Sequence, residues 1–185
     1  MTAPNVGNPT HPAVMNQMRL PRSAALGPGR GGQQRLLIDA PAGAAEIYLH
    51  GATVTSWVPR GASEVIFTSR QAVFDGATAI RGGIPLCLPE FGVGINGDAV
   101  PKHGWARIAP WWLLTVTATD GGGVRALLSV SRDRLTALYE VEVGETLRLG
   151  LSLRNEGTEP RTVEAAAHTY LSVHDVTASR ISGLA

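Results

Sequence analysis

The segment Leu147-Arg148-Leu149-Gly150-Leu151-Ser152-Leu153-Arg154 decides the fold class. Leucine occupies every second position, and arginine, glycine and serine fill the positions between. Because successive side chains of a strand point to opposite faces of a sheet, this period of two predicts a β-strand that buries one face. No segment of comparable length has a helical period.

The same kind of pattern continues on both sides of this segment. From Leu36 onward, short runs rich in Val, Ile, Leu and Thr alternate with clusters of Gly, Pro, Asp and Asn, which is typical of strands and turns. Breaks at 120–123 and 155–158 have the spacing of hairpins in an antiparallel sheet. The sequence therefore predicts an all-β fold, a large antiparallel β-sandwich. The predicted strands are 36–39, 45–50, 52–58, 64–68, 111–119, 124–131, 137–143, 146–154 and 162–173.

The first 35 residues differ from the rest. They hold many glycines and prolines, and their scattered apolar residues follow neither a period of two nor one of 3.6. We therefore expect a flexible leader over 1–35, followed by the sandwich domain over 36–185.

Composition limits the possible settings and partners of the chain. Its 185 residues are 44% hydrophobic and 17% charged, the composition of a globular domain large enough for its own core. The single cysteine excludes an intrachain disulfide, and neither a secretory signal nor a long apolar run is visible. These features predict a soluble, cytoplasmic protein. A net charge of +1 provides no global field for nucleic acid or an anionic membrane, so we expect neither as a partner.

The segment 75–110 is unusually long for a loop, and such a loop is usually functional or wrongly assigned. It contains four basic or titratable side chains: Arg81, Lys102, His103 and Arg107. Together these groups could bind a phosphate, and the glycines after Arg81 would let backbone N–H groups approach an anion. The alternative is a solvated basic turn with Trp105 in the core.

His168 is the candidate for acid–base chemistry. On the predicted strand 162–173, Glu164, His168 and Tyr170 share the polar face, opposite an apolar face. Imidazole titrates nearest to neutrality, which suits a general acid or base. The alternative is a hydrogen-bonded surface histidine.

Several other chemistries have no support in the sequence. Dinucleotide-binding, phosphate-loop and zinc-protease motifs are missing, and one cysteine with five scattered histidines predicts no metal site. Cys87, between two leucines, is interpreted as a buried apolar residue and not as a nucleophile.

Five segments, taken together, resemble a known family. The chain resembles the hexose-6-phosphate mutarotases, the glucose-6-phosphate 1-epimerases of the aldose 1-epimerase superfamily, from about residue 36 to its end. The resemblance implies a galactose-mutarotase-like β-sandwich and a cofactor-free isomerase that interconverts the α and β anomers of a hexose 6-phosphate. The segments are Gly51–Trp57, Phe74–Gly76 with Ile80–Pro85, Pro89–Gly92, Pro101–Arg107 and Ala167–Leu171.

The resemblance also assigns roles to individual residues. It makes His168 the catalytic acid that protonates the ring oxygen, and Arg81 and Arg107 ligands of the substrate and its phosphate. Lys102 is implied as a further ligand, and His103 shapes the loop or touches the sugar.

Members of the family continue past the equivalent of Ala185, and that part carries their catalytic glutamate and a substrate-binding aspartate. We therefore expect a sandwich that is incomplete at the C-terminus, with impaired activity and with exposed sheet edges that favour association. Glu90 or Glu164 could replace the base only if it reached the anomeric hydroxyl. The alternative function is a non-catalytic sandwich that binds a sugar phosphate.

Overall fold

The computed structural model describes residues 18–183, and over this range the chain is built from ten strands without an α-helix. Two single 3₁₀ turns cover Arg30–Gly32 and Ala106–Ile108. The predicted all-β class is confirmed. The strands are β1 Ala24–Pro28, β2 Gln34–Ala40, β3 Gly43–Tyr48, β4 Thr53–Pro59, β5 Leu86–Cys87, β6 Trp112–Ala118, β7 Val124–Arg132, β8 Leu135–Val143, β9 Leu147–Asn155 and β10 Ala166–Ala167.

The strands form two antiparallel meanders and one small pair. The first sheet has the order β1-β2-β3-β4, the second has the order β6-β7-β8-β9, and β5 pairs with β10. Neighbours in each meander are consecutive in the chain, so tight turns suffice to connect them. Together the two sheets form a partial sandwich.

Alternating side chains of the two sheets fill one core. In β8 every second residue is buried, from Leu135 through Tyr139 to Val143, and β2 and β3 bury Leu36, Ile38 and Ile47 in the same cluster. The indole N–H of Trp57 donates to the carbonyl of Gly144 at 3.1 Å and so ties the first sheet to the second. Leu147, Leu149 and Leu151 of β9 pack on this core but stay partly exposed, because β9 is the edge of its sheet, and Leu153 is exposed.

The expected leader needs a correction. Residues 24–28 are not flexible chain but strand β1, whose Ala24 lies opposite Ile38 and whose Pro28 lies opposite Gln34. The segment has no apolar period of its own, and the hydrogen bonds of β2 make it a strand, so the prediction is wrong for this part of 1–35. Residues 1–17 of the expected leader lie outside the described residues.

Two predicted strands are mostly irregular. The segment 64–68 makes only isolated bridges, Ile66 to Leu171 and Thr68 to Gly82, and 162–173 is regular strand only at 166–167. The backbone N–H groups of both segments donate to different partner segments along their length. No regular series of hydrogen bonds to one neighbouring strand therefore forms. The other seven predicted strands match β2, β3, β4, β6, β7, β8 and β9 to within two residues at either end. Residues 18–183 include no helix that could span a membrane.

Candidate active site

The site is built where the chain segment 164–172 lies between two earlier segments. The N–H groups of His168 and Tyr170 donate to the carbonyls of Pro85 (3.0 Å) and Gly83 (2.9 Å). On the other side, the N–H of Phe67 donates to the carbonyl of Tyr170 at 2.9 Å. Backbone hydrogen bonds on both sides therefore fix the position of His168, although little of the segment is regular strand.

The His168 ring lies among aromatic rings. It stacks on Tyr170, with ring centroids 4.9 Å apart and 28° between the planes, and lies 6.3 Å from the roughly parallel ring of Phe91. The His103 ring meets it edge-on at 6.0 Å. His168 and Tyr170 share one half-buried side, as the alternation predicts. The side predicted to be apolar and buried is instead the more exposed one, since Ala165 and Ala167 are exposed and Leu171 is 59% exposed.

His103 is held in one orientation and one tautomer. The N–H of Gly92 donates to His103 Nδ1 at 3.2 Å, and the N–H of His103 donates to the carbonyl of Gly92 at 2.7 Å. With Nδ1 as an acceptor, the proton of the neutral ring is on Nε2. Burial, followed by the nearby charges of Arg107, His168 and Lys102, lowers the pKa of His103. The imidazole is therefore a neutral donor at pH 7.

Two of the predicted cations line one cavity. Arg81, Arg107 and Tyr170 lie on the wall of a cavity of about 340 Å³, together with Thr78 and Pro85. Arg107 Nη2 donates to the carbonyl of Lys102 at 2.7 Å, which fixes the guanidinium, whereas its buried Nε has no protein partner among the described residues. An arginine with a spare donor at a cavity wall can bind an anion.

Lys102 and Gly83 are placed differently from the sequence-based expectation. Lys102 is exposed and contributes its backbone carbonyl to the position of Arg107, and its side chain is not part of the wall of this cavity as described. The N–H of Gly83 donates to the carbonyl of Phe67 at 2.8 Å. Of the backbone N–H groups next to Arg81, that of Gly83 is therefore already used by the chain pairing and does not meet an anion.

The two glutamates considered as replacement bases face elsewhere. Glu90 and Glu164 line a second, polar cavity of about 330 Å³, and Glu164 accepts a hydrogen bond from the N–H of Phe91 at 3.3 Å. The described part of the Arg81–Arg107 cavity wall carries no carboxylate. Among the residues described, this arrangement can donate protons and bind an anion, but the wall of its cavity includes no carboxylate to act as a base.

Two buried side chains bear on the sequence analysis: Trp105 lies in the core, as the alternative to a phosphate-binding loop expected, and Cys87 is buried as predicted. Trp105 is buried and packs in the main core. Cys87 is 1% exposed, and burial raises the pKa of its thiol, so it stays protonated and apolar at neutral pH. No group of three or more metal-ligating side chains occurs within residues 18–183.

Sequence reasoning gave no role to two residues of the site and placed a third, Tyr170, only on the face of His168. Phe91 beside His168 and Thr78 on the cavity wall come from distant parts of the chain, so no local pattern indicates them. The stacking of Tyr170 on His168 had a signal in the sequence, because residues two apart on an extended chain share a face.

Comparison with known proteins identifies the family. The family model described as aldose 1-epimerase matches residues 34–185, and the chain belongs to this family. It is similar to the protein named "Putative glucose-6-phosphate 1-epimerase" of Escherichia coli K12, with 32% identity over 158 residues, which are 80% of this chain and 52% of that protein. A protein of the same name from Cenchrus ciliaris is 35% identical over 157 residues, 76% of this chain and 47% of that protein.

Solved structures agree with this assignment. The crystal structure of a "putative mutarotase" from Salmonella typhimurium has a TM-score of 0.75 and 28% identity, and the match covers 85% of this chain and 54% of that one. The chain spans about half the length of the curated relatives it matches. The sandwich is therefore partial by comparison with theirs.

Proposed function

We propose that this chain carries the acid and the phosphate-binding part of a hexose 6-phosphate mutarotase, a site that interconverts the α and β anomers of a sugar such as glucose 6-phosphate. One observation carries the proposal: Arg81 and Arg107 line the same cavity as Tyr170, and Tyr170 stacks on His168. Phosphate ligands and a proton donor are thus adjacent. The proposal includes two predictions made from the sequence: that the protein is cytoplasmic and that the reaction needs no cofactor.

The reaction needs two proton transfers. His168 gives a proton to the ring oxygen while a base removes the proton of the anomeric hydroxyl, so the bond between C1 and the ring oxygen breaks and an open-chain aldehyde forms. Rotation about the C1–C2 bond and the reverse transfers close the ring as either anomer. A positioned acid or base contributes roughly 10²–10⁴ to such a rate. The resemblance assigns the base to the half of the relatives that lies outside this match.

The remaining residues bind and orient the sugar. The guanidinium groups of the exposed Arg81 and of the partly buried Arg107, on one cavity wall, suit the two charges of a phosphate ester. His103, fixed as the Nε2–H tautomer, suits a sugar hydroxyl as a donor. Lys102 adds a nearby positive charge through its exposed ammonium group.

A second candidate function is non-catalytic binding of a sugar phosphate. The observation in its favour is that the described cavity wall carries two arginines and no carboxylate. Binding would then survive in this chain without anomer exchange.

Calorimetric titration of the chain with glucose 6-phosphate and with glucose tests the binding proposal. A hydrogen bond to a charged group contributes about 1.5–3 kcal/mol, so Arg81→Ala should weaken binding of the phosphorylated sugar about tenfold to a hundredfold and leave glucose unchanged. Arg154→Ala is the matched control, because its side chain is 81% exposed on the second sheet. Equal weakening of both sugars would make Arg81 structural and remove the phosphate site.

Exchange NMR between the anomer signals of glucose 6-phosphate separates the two functions. We expect binding with exchange near the buffer rate for residues 1–185, and faster exchange once the C-terminal half of a relative is joined to the chain. Binding without exchange in the joined protein would favour the second candidate.

A further inference from the structure

The imidazole of His103 has a second neighbour at Nδ1 besides the backbone of Gly92. The Sγ atom of Cys87 lies 3.5 Å from Nδ1, within hydrogen-bond reach for sulfur. Cys87 belongs to β5 and His103 to the loop 89–104, so the contact joins two parts of the chain that are 16 residues apart. It connects a residue of the core to an imidazole of the candidate active site.

The backbone decides which partner donates the proton. The N–H of Gly92 points at the same Nδ1 atom at 3.2 Å, and a backbone N–H can only donate. Nδ1 therefore carries no proton, and its lone pair is the acceptor. Burial raises the pKa of the Cys87 thiol, so the sulfur keeps its proton at neutral pH. The S–H group is then the donor of the second bond.

The other surroundings of His103 also favour the neutral ring. Burial of the ring disfavours its charged form. The charged or titratable groups that act on it are Arg107 on the second 3₁₀ turn, His168 on the segment 164–172 and the adjacent Lys102, and all three are bases. A protonated ring would set an Nδ1–H against two donors and a positive charge beside these bases. Hydrogen bonds and charge thus act in the same direction.

The backbone at His103 has an uncommon conformation. Its φ is +65°, in the left-handed region that costs an L-residue free energy and that few residues other than glycine adopt. The N–H of His103 donates to the carbonyl of Gly92 at 2.7 Å, so the backbone and the ring of this residue both bond to Gly92. Conformations of this kind persist where the surrounding contacts determine them. The contact between the ring and Cys87 is one of these.

We propose that Cys87 is a positioning residue that acts through His103. Its S–H group and the N–H of Gly92 together hold Nδ1 as an acceptor, so the ring stays neutral and its proton is on Nε2, which points away from both donors. Within residues 18–183, Nε2 has no hydrogen-bond acceptor, so its proton is available to a ligand. That this ligand is a sugar hydroxyl rests on the proposed function. Of the two imidazoles in the site, only His168 is then left to carry a catalytic proton.

Raman spectroscopy of the native chain tests the hydrogen bond directly. The chain has a single cysteine, so the S–H stretching band reports on Cys87 alone. Because donation of a hydrogen bond lowers the frequency of this band, we expect it below that of an unbonded thiol. His103→Phe removes the acceptor and keeps a ring, so it should raise the frequency, while His174→Phe, at an exposed position, is the matched control. An unbonded thiol in the native chain would overturn the proposal.

Two variants of Cys87 separate hydrogen bonding from packing. Cys87→Ala and Cys87→Ser leave similar space beside His103 and differ by one hydroxyl donor. We expect Cys87→Ala to raise the pKa of His103 and to reduce the share of its Nε2–H tautomer, and Cys87→Ser to stay close to the native chain. Nitrogen NMR of the imidazole rings, with signals assigned from His103→Phe, measures both. Equal behaviour of the two variants would show that Cys87 only fills space, which would overturn the proposal.

Titration with glucose 6-phosphate separates this inference from the proposed function. If both hold, Cys87→Ala should weaken binding by up to about tenfold, the effect of losing one neutral hydrogen bond, and Cys87→Ser should bind as the native chain does. A bonded thiol in a chain that binds no glucose 6-phosphate would support the role of Cys87 and overturn the proposed function. Native-like binding and an unchanged His103 ring in Cys87→Ala would overturn the positioning role alone.

Discussion

Gly104→Ala should destabilise the protein far more than a glycine-to-alanine change usually does. Gly104 has a φ of +69°, and a Cβ at this position would lie well inside 3.0 Å of the carbonyl carbon and oxygen of Leu88. The neighbour is backbone and not the flexible end of a side chain, so the chain itself must move. The carbonyl of Leu88 also accepts a hydrogen bond from the N–H of Ala106 at 3.1 Å.

The expected loss has two parts. A left-handed conformation costs an L-residue about 1–2 kcal/mol. Moving Leu88 breaks the bond to Ala106, and leaving such a buried group unsatisfied costs about 1–3 kcal/mol. The free energy of unfolding should therefore fall by about 2–5 kcal/mol, and the loop that carries His103 and Arg107 should lose its position.

Gly92→Ala is the matched control. Gly92 also has a positive φ, +60°, but nothing lies within 4 Å of the position of an added Cβ. Only the conformational cost of about 1–2 kcal/mol remains. Urea unfolding of both variants at low protein concentration measures the difference, and equal losses would show that the contact between Gly104 and Leu88 is not tight.

Three further predictions concern titration and chemistry. Hydrogen bonds from Thr78 and Ala77 lower the pKa of Asp75 to about 2, so its stabilisation of the Thr78 turn is complete above its usual 3.8 and is lost as the pH falls towards 2. Carboxyl NMR of Asp75 checks this, and a pKa near 3.8 would contradict it. Because the pKa of His103 is lowered in the folded state, the folded protein should lose stability as the pH falls below the usual imidazole pKa of 6.5. Bound glucose 6-phosphate should raise the pKa of His103, because the phosphate offsets the charge of Arg107. Imidazole NMR with and without the ligand measures the shift, and an unchanged pKa would place the phosphate away from Arg107. In the chain joined to the C-terminal half of a relative, His168→Ala should slow anomer exchange roughly 10²–10⁴-fold with the fold intact, and a loss below threefold would remove His168 from the mechanism.

The strands of the two meanders could be predicted because their signal is local. The leucines of β9 alternate within one segment, and the turns after β6 and β9 are marked by glycine, aspartate and asparagine. β1 could not be predicted, since Ala24–Pro28 has no period and becomes a strand only beside β2. Pairing partners, not local preference, decide such a segment.

The site was predictable in its residue types but not in its contacts. Arg81, Arg107, His103 and His168 could be selected from the sequence, and the structure brings them to one region. Phe91 lies beside His168 because of the way the loop 89–104 folds back. The residues next to Phe91 in the sequence give no sign of this fold, so the contact could not be predicted. The same loop sets the direction of Glu164. The N–H of Phe91 donates to the carboxylate of Glu164, which does not line the cavity of Arg81 and Arg107.

The position of the 164–172 segment between two earlier segments has a consequence for the order of folding. Each meander joins strands that follow one another, so its loops close at little entropic cost. The N–H of Tyr170, by contrast, donates to the carbonyl of Gly83, which lies 87 residues earlier. Contacts of such long range form slowly, after the local hairpins. His168 therefore reaches its place last during folding. A ligand that bound beside His168 and the two arginines, as proposed for a sugar phosphate, would act on this final docking step. Its presence would hold residues 164–172 against local opening and leave the rates at which the two meanders form unchanged.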